Sequence, residues 1–317
     1  MKIAIVTPPS TSPLNGNSVT ARRYAAILKR LGHRVTRLER YEGHSADLII
    51  ALHAGKSHDS IVDFRRTHPR SPLIVVLTGT DLYRDIDRNG QVSESLRLAS
   101  RIVVLQERAL DEIAPRERRK AAVIYQSVER YRGRVERPAG QFRIAVVANL
   151  REEKDPLRAA KAARSLPESS GIRVVHCGQA LSRRFSQDAA REMRRNPRYR
   201  WLGAAAHWKA RRLIAGSHMV AITSRMEGSS NVLGEALSSG TPVIASHIPG
   251  IAGTLGNDYP GYFPVGDTAA LASLMQRAEL DNGFYSRLRK HCARAAPLVR
   301  PGTEVKAWAE LLNGLDP

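Results

Sequence analysis

The sequence predicts an α/β protein made of two doubly wound, Rossmann-like parallel-sheet domains. Three observations predict it. Short β-rich apolar runs alternate with helical stretches along the chain. The alternation breaks once, at the polar, Arg- and Gly-containing stretch Ser127–Gly140, and then restarts. At 317 residues the chain is about twice the length of a usual domain. The expected division is an N-terminal domain over residues 1–130, a linker over 131–141 and a C-terminal domain over 142–300, with 301–317 forming a last helix.

In chain order, the first half offers Ile3–Val6, Arg34–Thr36, Leu48–Leu52, Leu73–Leu77, Ile102–Leu105 and Ala122–Ile124 as strands. Between the first two lies a helix over Val19–Leu31, because Tyr24, Ile27, Leu28 and Leu31 recur at helical spacing and Gly32 closes it. The second half offers strands at Arg143–Ala148, Ile172–His176, Arg200–Leu202, Met219–Thr223 and Pro242–Ala245. Its helices are expected at Leu157–Ser165, Ser182–Arg194, Lys209–Ala215, Val232–Ser239 and Ala269–Ala278.

A content of 42% hydrophobic and 25% charged residues fits a soluble globular protein with material for two cores. Two cysteines, Cys177 and Cys292, rule out a disulfide scaffold, lack metal-ligand spacing and favour a reducing compartment. The apolar run in MKIAIVTPPS is too short for a signal segment, and no run approaches the ~18 residues of a spanning helix. A cytoplasmic protein without a membrane partner is expected. Lys and Arg number 50 against 30 Asp and Glu, a net +20 that suits either small anions or nucleic acid. Basic residues cluster at Arg116–Lys120, Arg130–Arg137, Arg191–Arg200 and Arg211–Arg212, without a basic tail or an aromatic-interleaved stripe. Nucleic acid is therefore not the expected main ligand, and an Arg-rich solvated surface accounts for the charge equally well.

Doubly wound sheets bind ligands beyond the carboxyl ends of their strands, so the loops after strands are where chemistry is sought. The first, Thr7–Ser18, is long and polar, with Asn17 or Ser18 as N-cap of the next helix. Its Asn15, Gly16, Asn17 and Ser18 can offer N–H groups to an anion, although the dinucleotide pattern G-x-G-x-x-G is absent. Ala54-Gly55-Lys56-Ser57 is not a nucleotide-triphosphate loop, since Ile50 stands where that pattern needs glycine. Lys56 remains a candidate point charge, and His53 is either a packed histidine or a site residue. Thr78-Gly79-Thr80-Asp81 lets a ligand approach the backbone closely, with Asp81 orienting a partner or capping the next segment.

In the second half, Asn149–Pro156 precedes a helix with Pro156 near its first position. Arg151 and Lys154 can both face a phosphate there, although a charged surface loop would have the same composition. The stretch Ser224–Leu237 is the most informative. Glu227 and Glu235 flank a small, polar turn, Gly228, Ser229, Ser230, Asn231 and Val232. With a helix starting near Ser230, Val232, Leu233, Ala236 and Leu237 form its buried stripe. Asn231 and Glu235 then share another face, roughly 130° away at about 100° per residue. The helix start can hold a diphosphate while the two carboxylates accept hydroxyl hydrogen bonds.

With these residues in view, the chain resembles the retaining-type GT-B glycosyltransferases of family 4, whose E-x7-E signature matches Glu227 and Glu235. That resemblance implies two Rossmann-like domains facing a cleft, with the nucleotide on the second. It implies that Glu235 holds the ribose, Glu227 faces the donor sugar, and Arg151 and Lys154 hold the diphosphate beside the Ser229–Val232 turn. Amides near Gly203 and Ala204 would read the base, and the last helix, Val305–Leu312, would return to the N-terminal domain.

TGTDLYRD at Thr78–Asp85, VIYQS at Val123–Ser127, NPRYRWLG at Asn196–Gly203, SRMEGSSNV at Ser224–Val232 and DYPGYFPVGDT at Asp258–Thr268 further resemble the selenosugar synthases of selenoneine biosynthesis, the SenB family. That family implies transfer of the sugar of UDP-N-acetylglucosamine or UDP-glucose to selenophosphate, forming a C–Se bond and releasing UDP and phosphate. The implied acceptor residues are Asn15, Gly16, Asn17, Ser18, His53, Lys56, Thr78, Gly79 and Thr80, and the implied catalytic residues Arg151, Lys154, Glu227, Thr80 and Asp81. No cofactor or metal is expected. The implied functional links are to a selenophosphate-supplying enzyme and a downstream selenoneine synthase. Thr78 stands where many family 4 members carry histidine, so a usual acceptor-side group is missing. The alternatives are a conventional glycosyltransferase with a hydroxyl acceptor, or a non-catalytic nucleotide-sugar or nucleic-acid binding protein.

Overall fold

The computed structural model describes residues 1–9 and 16–315. They form two compact units, Met1–Ser127 with the C-terminal segment from Pro301, and Val128–Arg300. The first unit carries strands β1 (Lys2–Val6), β2 (Arg34–Leu38), β3 (Leu48–Leu52), β4 (Leu73–Val76), β5 (Arg101–Val104) and β6 (Ala121–Val123). They pair in parallel in the order β2-β1-β3-β4-β5-β6, so the chain reverses its direction of travel between β1 and β3. Helices α1 (Gly16–Arg30), α2 (His58–Thr67), α3 (Thr80–Tyr83), α4 (Gly90–Leu98) and α5 (Pro115–Arg118) connect them.

Side chains alternate across this sheet, and both faces are buried, which is why β3 and β4 read as unbroken apolar runs. Ile3, Ile5, Leu48, Ile50 and Ile74 pack with Tyr24 and Leu28 of α1, while Val6, Ile49, Leu73 and Val75 pack with Phe64 and Leu96 on the other face. A late helix in the chain, Pro301–Asn313, joins the first face: Trp308 is wholly buried edge-on to Tyr24, with ring centroids 4.7 Å apart. Glu304 of that helix, also buried, accepts hydrogen bonds from Ser127 N–H at 2.8 Å and from Arg23 Nε at 3.1 Å.

The second unit holds β7 (Phe142–Val147), β8 (Ile172–Cys177), β9 (Tyr199–Trp201), β10 (Met219–Ile222), β11 (Val243–Ser246) and β12 (Tyr262–Phe263), parallel in the order β12-β11-β10-β7-β8-β9. Its helices are α6 (Arg158–Arg164), α7 (Arg183–Arg195), α8 (His207–Ala215), α9 (Asn231–Ser239), α10 (Pro249–Leu255), α11 (Thr268–Leu280) and α12 (Asn282–Ala295); the Pro301–Asn313 helix is α13. Ala159, Ala160, Ala162 and Ala163 of α6 are fully buried in the core of this unit, small enough to bring that helix close to the sheet. The segment after Ser127 belongs to this unit: Val128 N–H donates to Val299 O, and Arg211 donates to Glu129 O. No helix among the described residues is long and apolar enough to cross a membrane.

Three expectations need correction. Helix α1 begins at Gly16, so Asn17 and Ser18 lie in its first turn rather than capping it. Pro156 does not open α6; a 3-10 turn over Glu152–Lys154 and a left-handed Asp155 (φ 42°) precede a helix that starts at Arg158. The two-residue strand β12 has no period to read and was not expected.

Candidate active site

Both loops singled out in the second half sit at the carboxyl end of its sheet, and they are tied together. Thr223 Oγ1 donates to the carbonyls of Lys154 at 2.9 Å and Asp155 at 3.0 Å, and Arg225 N–H donates to Glu153 O at 2.8 Å. Arg158 Nε fixes Asp155 at 2.8 Å and its Nη1 reaches Thr268 at 2.7 Å. The left-handed turn at Asp155 is thereby held from both sides, and it presents Lys154 to the loop after β10.

There Lys154 Nζ lies 2.5 Å from Glu227 Oε1, and Ser224 Oγ donates to the same oxygen at 2.7 Å. Both ionic side chains are largely withdrawn from solvent, 19% and 10% exposed, so each is the other's close ionic partner. With Val147, Ala148 and Ser230 they line a pocket of about 20 Å³, room for a single water. Ser230 caps α9, its Oγ accepting from Leu233 N–H, which leaves the amides of Asn231 and Val232 directed out of the helix start. Asn231 and Val232 are half-buried, as is Ser229, while Gly228 is buried.

Close backbone contacts fix these loops. A Cβ on Gly250 of α10 would stand 1.9 Å from Glu227 O, and one on Gly178 would stand 1.8 Å from Ala148 O. Only glycine fits at either place. Gly203, left-handed at φ 72°, ends β9, and its carbonyl accepts from Gly178 N–H at 2.9 Å; the neighbouring Ala204 is exposed.

Glu235 follows Asn231 by four residues on α9, and it is buried where Asn231 is half-buried. It is 6% exposed, and its Oε1 lies 2.6 Å from Nε2 of His207, the first residue of α8. Sequence reasoning missed His207, because nothing in the spacing of residues 28 apart announces such a pair. Arg151 is half-exposed and only loosely paired, 3.8 Å from Glu153. It is the cation of this group freest to turn toward a ligand.

In the first unit, the loops after β3 and β4 converge on Asp81. This carboxylate is wholly buried and accepts N–H groups from Ala54 (3.0 Å), Thr78 (3.0 Å) and Gly79 (2.8 Å). With both oxygens engaged away from solvent, Asp81 clamps the two loops.

His53 sits at the end of β3 in the left-handed region (φ 70°), a strained position for a side chain of its size. Its Nδ1 accepts from Lys56 N–H at 3.3 Å, which puts the ring proton on Nε2, 3.0 Å from Thr80 Oγ1. Burial pushes its pKa down, against the opposing pull of Asp81, so the ring is neutral at pH 7. Thr78 and Thr80 are half-buried, Thr80 Oγ1 held by His53 and Thr78 Oγ1 donating to Asp81 at 3.4 Å, while Lys56 is exposed. Gly16 opens α1, and Asn17 and Ser18 follow it; Asn15 lies outside the described residues.

Comparison with solved structures bears on the fold. The chain is 18% identical to Alr3699/HepE of Anabaena, solved in complex with UDP and glucose, over 99% of both chains with a TM-score of 0.76. It is 15% identical to sucrose-phosphate synthase of Thermosynechococcus elongatus over 99% of this chain and 98% of the other (TM-score 0.79). A glycosyltransferase from Rickettsia africae is 13% identical over the same shares, with a TM-score of 0.77. The two six-stranded parallel sheets with their helices are thus a GT-B fold. Residues 127–298, more than half of the chain and nearly all of the unit that carries the Lys154–Glu227 pair, match the profile of the glycosyl transferases group 1, and the chain belongs to that family.

Proposed function

We propose that this glycosyltransferase uses a UDP-sugar as donor and selenophosphate as acceptor. It would transfer the sugar of UDP-N-acetylglucosamine or UDP-glucose to selenium and release UDP and phosphate, in selenoneine biosynthesis. The donor half of this reading is supported by the Lys154–Glu227 pair beside the free end of α9, and by HepE, which has been solved with UDP-glucose. The diphosphate would lie against Arg151, Lys154 and the amides of Asn231 and Val232. Charge that develops on the departing UDP would be met by these groups, so no divalent metal is needed for that step. Glu235 would take the ribose hydroxyls after exchanging its bond to His207, and the turn at Gly203 and Ala204 would meet the base. Glu227 would face the sugar, held in place by Lys154 and Ser224.

A single observation carries the acceptor half: the loops after β3 and β4 offer no free base. Asp81 is saturated by backbone N–H groups, and the only lone pair of the neutral His53 ring is engaged by Lys56 N–H. An alcohol must lose its proton to react, whereas selenophosphate brings an anionic, soft selenium that needs only positioning and charge compensation. Gly16, Asn17, Ser18, Lys56, Thr78, Gly79 and Thr80 would provide these, with Asp81 shaping the loop. The new bond joins selenium to the anomeric carbon as the bond to the UDP oxygen breaks, and water then cleaves the selenium–phosphorus bond, leaving the selenol on the sugar and releasing phosphate. UDP release measured for a panel of UDP-sugars, with selenophosphate or with hydroxyl acceptors, tests this. Selenophosphate-dependent release is expected; release driven by hydroxyl acceptors alone would favour the conventional glycosyltransferase.

A further inference from the structure

A second cavity opens in the unit Val128–Arg300, at the other end of β7 from the Lys154–Glu227 pocket. Arg143, the second residue of β7, lines it, whereas Val147, the strand's last residue, and Ala148 beyond it line the first pocket. Its volume is about 610 Å³, within the range of sites that hold small ligands. The segment around Arg134 and Glu136 forms one wall and α8 the other, with Trp208, Lys209 and Arg212 on its lining side.

The walls are firmly placed. Gly216, just past α8, would bring a Cβ within 3.5 Å of Glu136 O, and Arg211 lies over the Tyr131 ring at 5.9 Å while donating to Glu129 O. The backbone on the two sides of the cavity is thereby in contact, and the cations line the same space. Four of them, Arg134, Arg143, Lys209 and Arg212, meet a single carboxylate, Glu136. Among the described residues none of the four is in an ion pair, unlike Arg158, Arg164 and Arg195 elsewhere in this unit. Of the four, Arg143 also acts on nearby His218, whose pKa is lowered by burial first and then by Arg137 and Arg143. At the rim the Trp208 indole is 56% exposed, with Lys209 Nζ 5.5 Å from its centroid.

We propose that this cavity binds a polyphosphate chain, free or carried by a nucleotide, at a site separate from the donor pocket. Several like charges held together without partners repel one another, and a compact anion carrying three or four charges relieves that repulsion. Guanidinium groups match phosphate oxygens in pairs, which favours Arg134, Arg143 and Arg212 as the binding set. The exposed indole offers a stacking face to a base if the chain belongs to a nucleotide.

Isothermal titration with sodium tripolyphosphate and with ATP, both without divalent metal at low ionic strength, tests the site. Arg134→Ser/Arg212→Ser should weaken tripolyphosphate binding tenfold or more and leave the melting temperature and the UDP titration unchanged, since both arginines are exposed. Equal affinity for the two probes identifies free polyphosphate. Tighter binding of ATP, lost in Trp208→Ala, identifies a nucleotide. The proposal is overturned if tripolyphosphate does not bind, or if the double variant binds it as well as the original protein. It is also overturned if a single-stranded oligonucleotide binds more tightly than either probe and loses that binding in the double variant.

Discussion

Glu235 and Lys154 illustrate how differently two buried charges respond to removal. Glu235 has an exposed partner, His207, whose side chain keeps 66% of its surface in water. Glu235→Ala therefore strands no buried charge, and folding should be little affected. Loss of a charged hydrogen-bond acceptor at the proposed ribose site should weaken UDP by about 1.5–3 kcal/mol, roughly ten- to a hundredfold. Titration calorimetry beside a melting curve checks this, and unchanged UDP affinity in a folded variant would remove Glu235 from the site. Lys154 is bound to a glutamate that has almost no water. Lys154→Ala should lower kcat for UDP release by about a hundredfold or more. It should also lower the melting temperature, because Glu227 is left unpaired. Steady-state kinetics and a thermal melt report the two effects separately.

Among the elements, α10 and β8 make the sharpest predictions. Gly250→Ala drives a Cβ into the Glu227 carbonyl at 1.9 Å, a backbone atom that cannot swing away. A cost of about 1–3 kcal/mol and loss of turnover are expected; a folded variant with full activity would contradict the placement of Glu227. On β8, His176 lies between Tyr199 Oη and Ala148 O, each 2.9 Å away, and burial pushes its pKa down to about 4. Between its ordinary value near 6.5 and that of the folded state, only the unfolded chain takes up the proton. Stability is therefore full above pH 6.5 and falls toward pH 4, by on the order of 3 kcal/mol from this group. Urea unfolding at pH 7.5 and 4.5 should show a smaller difference for His176→Gln than for the original chain, and equal differences would show that His176 does not titrate in this way.

How much of these elements could be read from the chain follows from their physics. β3, as LIIAL, and β4 are buried on both faces and declare themselves as apolar runs. β12 spans only Tyr262–Phe263, and α10, PGIAGTL, carries two glycines within seven residues, so pattern and propensity are silent there. Glu227 and Lys154 stand out in the sequence from loops after strands, and Glu235 from its place on the helix that follows. Their partnerships do not, since Lys154 meets Glu227 across 73 positions and His207 meets Glu235 across 28. Such pairs exist only once the sheet has brought separate loops together. Asp81 shows the same limit: the sequence left it between orienting a partner and capping the next segment, and only the fold gathers three N–H donors from two loops around it.

For the molecule as a whole, a net charge of +20 suits the proposed pairing of a diphosphate with an anionic acceptor. Because Arg151, Lys154 and the start of α9 are proposed to meet the leaving group, turnover should persist in excess EDTA. Complete loss on chelation, restored by magnesium or manganese, would contradict that proposal. The central claim, that selenium becomes bonded to the anomeric carbon, is tested most directly by mass spectrometry of the product from UDP-N-acetylglucosamine and freshly made selenophosphate. The account predicts a sugar product carrying the selenium isotope pattern, formed with UDP. UDP released without selenium in any sugar, while a hydroxyl acceptor becomes glycosylated, would contradict it.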